Sequence, residues 1–212
     1  MKLKTFLLSF ILLLSGFLLF SYTKTSFNKA VPRLRDGDII FQTSQSDQCK
    51  AVQAATHSIY SHCGIIFLEG DKIKVYEAVQ PVRVTGFDEW ISHGKGKKYV
   101  IKRLKNADSV LTPATLSKMK ESAIKHNGKN YDIYFGWSDE RIYCSELVWK
   151  IYKEGAGLEV GKLQKLKEFD LSHPEVKRIM KERYGNNVPL EETVISPASV
   201  FASELLITVA EN

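Results

Sequence analysis

The sequence predicts an α+β fold in which a small antiparallel β-sheet packs against helices. Two observations lead there. Short segments alternate apolar and polar residues and are joined by tight turn signals, as antiparallel strands are. Longer segments repeat apolar residues every three or four positions and carry helix caps and stops. The 212 residues suit one domain, and 44% apolar with 25% charged residues is ordinary globular composition. No internal repeat or low-complexity tract interrupts it.

The elements follow in order. DGDIIFQ gives a turn and a first strand, Asp38–Gln42. Asp47–His57 has helical spacing, with Val52, Ala55 and Thr56 on one side. HCGIIFL is a strand from His62 to Leu68, EGDK a turn, and IKVYEAV a strand from Ile73 to Val79. VRVTGF adds a short strand, and Phe87–His93 a short helix. KYVIKRL alternates over Tyr99–Leu104. Thr112 caps a helix that runs to His126, with Pro113 at its first position and Gly128 beyond its end. NYDIYFGWSDERIY is an aromatic-rich loop or irregular strand. Cys144–Glu154 is a helix stopped by Gly155 and Gly157. Ser172 and Glu175 form a capping-box pattern around Pro174, opening a helix to Tyr184. Ser196–Pro197 repeats the cap-then-proline device for a last short helix.

The N-terminus has two lysines before an apolar run from Phe6 to Phe20. That length suits a signal-peptide core and is short for a spanning helix. Residues 1–25 therefore read as a signal peptide or an uncleaved signal anchor, and residues 26–35 as a linker to a domain over 36–212. Either leader places the domain in an extracytoplasmic space, periplasmic or secreted, with membrane association through the N-terminal segment if it stays uncleaved. The formal charge is +6. Without Lys2, Lys4 and Lys24, 27 basic residues face 24 acidic ones. So small an excess, with no basic stripe, excludes a nucleic-acid partner.

Two histidine- and glutamate-bearing strands carry the first chemical signal. If Gly70–Asp71 is a two-residue hairpin loop, Glu69 pairs with Lys72 and Gly64 faces Glu77. Side chains alternate, so His62, Gly64 and Glu77 share one face, with His62 opposite Val79 and diagonal to Glu77. Gly64 leaves space beside the imidazole. A carboxylate there would fix the histidine tautomer and stabilise the imidazolium. Cys63 points to the other face with Ile65 and Phe67, as a core residue. His57 is the runner-up base and has no acid beside it. His93, His126 and His173 fall at helix edges.

Cys144 heads a helix whose apolar residues fall at Leu147, Val148, Ile151 and Tyr152. It thus lies on the buried stripe, in the first turn, where the helix dipole favours a thiolate. Three readings stand at this point: a buried core residue, half of a disulfide with Cys49 or Cys63, or a nucleophile. A Cys49–Cys63 bridge is a further alternative. The Cys and His residues show no metal-type pairing, so no metal or other cofactor is expected.

GKNYDIYFGWSDERIYCSELVWKIY, Gly128 to Tyr152, resembles the cysteine segment of NlpC-type papain-like enzymes. Those enzymes carry cysteine before histidine, whereas here SHCGIIF and VYEAV come first. The order resembles the circularly permuted branch, the YaeF/YiiX-like papain-fold amidases. The likeness runs from RDGDIIFQTS through GFDEWISHG, LKEFDLS and RYGNNVPLEETVISP. The lecithin retinol acyltransferase-like family shares the permuted order, but YCSEL does not reproduce its cysteine context. The resemblance implies a permuted papain-like catalytic domain over 36–212, with Cys144 as nucleophile, His62 as base and Glu77 as orienting acid. It also implies Tyr131 as an oxyanion or positioning residue. The aromatics Tyr134, Phe135 and Trp137 are candidates for a substrate groove. The expected activity is hydrolysis of amide or peptide bonds in a cell-envelope peptide or a lipid-linked amide. The alternative is an acyltransferase or thioesterase-like lipid enzyme using the same three residues.

Overall fold

The computed structural model describes residues 33–212. The leader predicted over 1–25, and residues 26–32 of the predicted linker, lie outside the described residues. Along the chain run β1 (Ile39–Gln42), α1 (Asp47–Thr56), β2 (His62–Glu69), β3 (Lys72–Glu77), β4 (Arg83–Gly86) and α2 (Phe87–Ser92). Then come β5 (Val100–Leu104), α3 (Ala107–Val110), α4 (Pro113–His126), β6 (Asn130–Tyr131), β7 (Arg141–Ile142) and α5 (Cys144–Ala156). The last are β8 (Gln164–Lys165), α6 (Pro174–Tyr184), β9 (Thr193–Val194), α7 (Pro197–Phe201) and β10 (Leu206–Glu211).

The main sheet has six strands in the order β10, β5, β1, β2, β3, β4, each pair antiparallel. Strand alternation sends two sets of side chains to its two faces. Phe41, Cys63, Ile65 and Phe67 join Leu147, Val148 and Ile151 of α5 in the larger core. Ile40, Ile66, Val75 and Ile101 pack on Trp90 of α2 and on Leu34, which closes over this face from the end of the predicted linker. A third apolar cluster, Ala51, Val176 and Ile179, joins α1 to α6. A bidentate ion pair ties the start of β1 to β5. Arg103 Nε and Nη2 donate to the two Asp38 oxygens, each at 2.7 Å.

Several expectations need correction. The helix after Cys144 does not stop at Gly155. Residue 155 lies inside α5, and Gly157 in the left-handed conformation (φ 70°) is the C-cap. A Cβ on Gly155 would lie 2.3 Å from Met119 Cγ and 2.7 Å from the Met119 backbone. The missing side chain therefore serves the close crossing of α4 and α5, and packing overrides the helix-breaking propensity. The cap of α6 is not Ser172. The His173 imidazole accepts from the Glu175 N–H, while Ser172 donates its hydroxyl to Asp170. Four elements went unread: the single turn α3, the two-residue strands β8 and β9, and β10, an edge strand whose buried residue is Leu206 alone.

The α4–α5 crossing makes a testable prediction. Gly155→Ala is expected to cost about 1–3 kcal/mol through overpacking against Met119. The urea midpoint reads this, and an unchanged midpoint would contradict the crossing distance.

Candidate active site

The start of α5 is pinned from two sides. The Tyr143 N–H donates to Glu146 Oε2 at 3.3 Å. The Ile195 N–H donates to the Tyr143 hydroxyl at 3.0 Å, and the Ser145 hydroxyl donates to the Ile195 carbonyl at 2.8 Å. The N–H groups of the first turn have no partner within the helix. Cys144 is the first residue of that turn and is nearly enclosed.

The hairpin of β2 and β3 has the expected register, with Glu69 opposite Lys72 and Ile65 opposite Tyr76. The ladder ends at that last pair, so His62 has no partner at position 79. The Glu77 carboxylate reaches the imidazole instead, with His62 Nε2 and Glu77 Oε2 2.7 Å apart. Glu77 Oε1 accepts from the Thr85 hydroxyl at 2.6 Å, and Arg83 Nε lies 3.7 Å away. Trp90 stacks on the imidazole, with ring centroids 5.7 Å apart and planes 21° apart. Gly64 does not leave open space. A Cβ there would sit 2.6 Å from Val75 Cγ1, so the glycine lets β3 close against β2.

His62 and Cys63 alternate to opposite faces of β2, yet both meet Cys144. The Cys63 thiol, the His62 ring and the Cys63 backbone all lie close enough to the Cys144 sulfur to act on its ionisation. With Nε2 committed to Glu77, Nδ1 is the ring nitrogen left for Cys144. The Cys63 thiol, the His62 hydrogen bond and the imidazolium charge hold the Cys144 thiol well below its ordinary range, against desolvation. Burial lowers the His62 pKa, but Cys144 and Glu77 outweigh it and raise the imidazole to about 10. Burial also works against the Glu77 charge, yet the bonds from His62 and Thr85 leave its pKa lowered. Burial, with the neighbouring Cys144 charge, pushes the Cys63 thiol well up, so it remains a donor. Both shifts favour a thiolate–imidazolium pair, backed by the Glu77 carboxylate. Cys49, Cys63 and Cys144 are all free thiols, so neither disulfide alternative is present. Cys49 instead hydrogen-bonds with the Ser44 and Ser46 hydroxyls.

A pocket opens beside Cys144, walled mainly by apolar side chains of α1 and α6. Tyr131 and Phe135 line it. Tyr134 and Trp137, expected in the same groove, do not. The loop turns through a positive φ of 51° at Phe135 and separates its neighbours. Tyr134 packs on Tyr184, and Trp137 on Trp149, each pair edge-on. His57 does not line this pocket and pairs with Asp170 at 3.3 Å. His126 is buried with its pKa lowered to about 4, by desolvation first and then by Lys129.

Thr85, Trp90, Gln48 and Arg183 escaped the sequence reading. Thr85 was within its reach, because extending the strand alternation to β4 puts it diagonal to Glu77 on the same face. The others come from α2, α1 and α6, and no local pattern joins those helices to the site.

A permuted papain-like cysteine amidase or peptidase is the class that this order and site define: histidine hairpin first, cysteine helix second. The chain belongs to the permuted papain-like amidase enzymes of the YaeF/YiiX, C92 family, whose model matches residues 33–210. It is 51% identical over 176 residues to the YiiX protein of Escherichia coli (strain K12), covering 83% of this chain and 86% of that one. It also resembles the crystal structure of yiiX from Escherichia coli O157:H7, with a TM-score of 0.80 and 50% identity. That match covers 84% of this chain and 97% of the other, which is described as a metalloprotein. In the present chain, among the described residues, no group of three or more His, Cys, Asp or Glu side chains is arranged to hold a metal ion.

The ion pair sets the pH dependence of the thiol. Iodoacetamide is expected to alkylate Cys144 with a midpoint well below 9, and Cys63→Ala or His62→Ala should move that midpoint upward. A wild-type midpoint near that of a free thiol would contradict the pairing. Reactivity that needs the imidazolium should rise as Cys144 ionises and fall as His62 loses its proton near pH 10. Glu77→Gln removes a charge that raises His62, so the falling limb should shift to lower pH. An unmoved limb would show that Glu77 does not hold the imidazolium.

Proposed function

We propose that the protein is a thiol amidohydrolase that cleaves long-chain N-acyl amides, with Cys144 as nucleophile, His62 as acid and base, and Glu77 as orienter. The observation that carries this reading is the pocket beside the thiol. Its walls include Ala51 and Val52 of α1, Val176, Ile179 and Met180 of α6, and Phe169 between them. A peptide stem would leave its amides unpaired against such walls, at a cost of roughly 1–3 kcal/mol for each buried polar group. An alkyl chain gains about 0.8 kcal/mol per buried methylene.

In this mechanism the Cys144 thiolate attacks the amide carbonyl and forms a tetrahedral oxyanion. N–H groups of the α5 first turn and the Tyr131 hydroxyl hold that oxyanion. His62 Nδ1 gives its proton to the departing amine, leaving a thioester on Cys144. Neutral His62 then takes a proton from water, which attacks the thioester. The acid leaves, and the thiolate–imidazolium pair returns. Transfer of the acyl group to an amine or alcohol would use the same thioester. The apolar run over Phe6–Phe20 supports an extracytoplasmic site of action, with envelope lipids as the source of such amides.

The test is a series of N-acyl 4-nitroanilides from acetyl to dodecanoyl. kcat/KM is expected to rise roughly fourfold per added methylene until the pocket is full, and Cys144→Ala should abolish turnover. A flat series would remove the acyl-chain reading, and turnover by Cys144→Ala would remove the thiol mechanism. Addition of a free amine that yields a new amide faster than acid would point to transfer.

A further inference from the structure

Three residues beyond the thiol, imidazole and carboxylate form a chain of hydrogen bonds along one side of the pocket. Arg183 Nη2 donates to Gln48 Oε1 at 2.6 Å, and Gln48 Nε2 donates to the Tyr131 hydroxyl oxygen at 2.8 Å. The direction of this chain is fixed by its first member. A guanidinium has donors and no acceptor, so the group facing it must be the Gln48 carbonyl oxygen. The Gln48 amide nitrogen then faces Tyr131, where it can only donate. The Tyr131 oxygen therefore accepts, and its own hydrogen is left to point elsewhere. Tyr131, Gln48, Arg183 and Cys144 all line the same pocket.

We infer that Gln48, held by Arg183, is a positioning residue that aims the Tyr131 hydroxyl hydrogen at the oxyanion position beside Cys144. The inference rests on the proposed role of Tyr131. A hydroxyl rotor is otherwise free to turn, and a donor pointing away from the developing charge contributes nothing. A donor chain that begins at a full positive charge also polarises the phenol, which strengthens its bond to an oxyanion. Arg183 is itself fixed, because it donates through Nη1 to the Ile133 carbonyl and lies 5.3 Å from the Phe135 ring centroid. The phenol stays protonated beside the thiolate, since burial and the Cys144 charge push its pKa well up.

The experiment reverses the polarity at residue 48. Gln48→Glu keeps the size and the Arg183 contact but offers Tyr131 only an acceptor, so the phenol hydrogen turns to the carboxylate. Gln48→Met removes the contact and leaves that hydrogen free to find the oxyanion. The readout is the 4-nitrophenolate burst from 4-nitrophenyl dodecanoate, which reports acylation of Cys144 directly, with Cys144→Ala as the blank. Tyr131→Phe is expected to slow acylation by roughly 100- to 1000-fold. Gln48→Glu should slow it at least about tenfold at saturating ester, with KM unchanged, and Gln48→Met should lose less. In the Tyr131→Phe background, Gln48→Glu should cost no further rate.

A merely structural glutamine gives the opposite order, with Met worse than Glu and losses that add to those of Tyr131→Phe. Either that order or a wild-type burst rate in Gln48→Glu would overturn the inference while leaving the thiol mechanism intact. A full burst in Tyr131→Phe would overturn it together with the role of Tyr131. A burst that survives in Cys144→Ala would overturn the thiol mechanism as well.

Discussion

The pairing of Glu69 with Lys72 around Gly70 and Asp71 sets the register of one hairpin, and the site depends on it. Gly70 adopts a positive φ of 60°, which the tight turn requires and a side chain would resist. From that register follow the shared face of His62 and Glu77 and the 2.7 Å contact between them. A slip of one residue would send Glu77 into the apolar core beneath α5 and leave the imidazole without a carboxylate. The core itself opposes such a slip, because it would also carry Tyr76 out of the core beneath α5 and Val75 out of the cluster around Trp90.

The second constraint is that nucleophile and base approach from opposite faces of the sheet. α5 packs on one face, and the imidazole lies on the other under Trp90. They meet because the β2–β3 ladder ends at Ile65 and Tyr76, short of His62. Cys63, on the face of α5, then supports the Cys144 sulfur from below while its neighbour approaches from above. Two adjacent residues of one strand thus act on the same atom. This is possible where one side of the strand is free: His62 and Cys63 pair with β1 but have no partner on the β3 side.

Most of the fold was legible because its signals are local. Alternation and turn signals identified the five strands from β1 to β5, helical spacing identified α1 and α5, and cap-and-proline patterns identified α4 and α6. The misreadings share one cause, which is tertiary contact. Gly155 looks like a helix stop until Met119 of α4 is seen against it. Ser172 matches a capping pattern, but the imidazole next to it takes the role. β10 carries little apolar alternation because it is an edge strand with mostly exposed side chains. At the site, Cys144, His62 and Glu77 could be read from one helix and one hairpin. The pocket could not, because α1 and α6 lie far apart in the chain and only folding sets them side by side. The aromatic loop was half legible: its composition marked a wall, but its backbone turn at Phe135 decides which rings face it.

The Glu77 carboxylate carries one further consequence. Its second oxygen is held by Thr85, and its charge faces Arg83, both on the four-residue strand β4 at the margin of the sheet. Marginal strands open more often than central ones, and local opening needs no global unfolding. Each time β4 frays, the carboxylate loses two of its supports while the cysteine helix stays in place. The order of the imidazole is then governed by a strand at the edge of the sheet, and amide exchange along β4 becomes a clock for how long the site stays assembled.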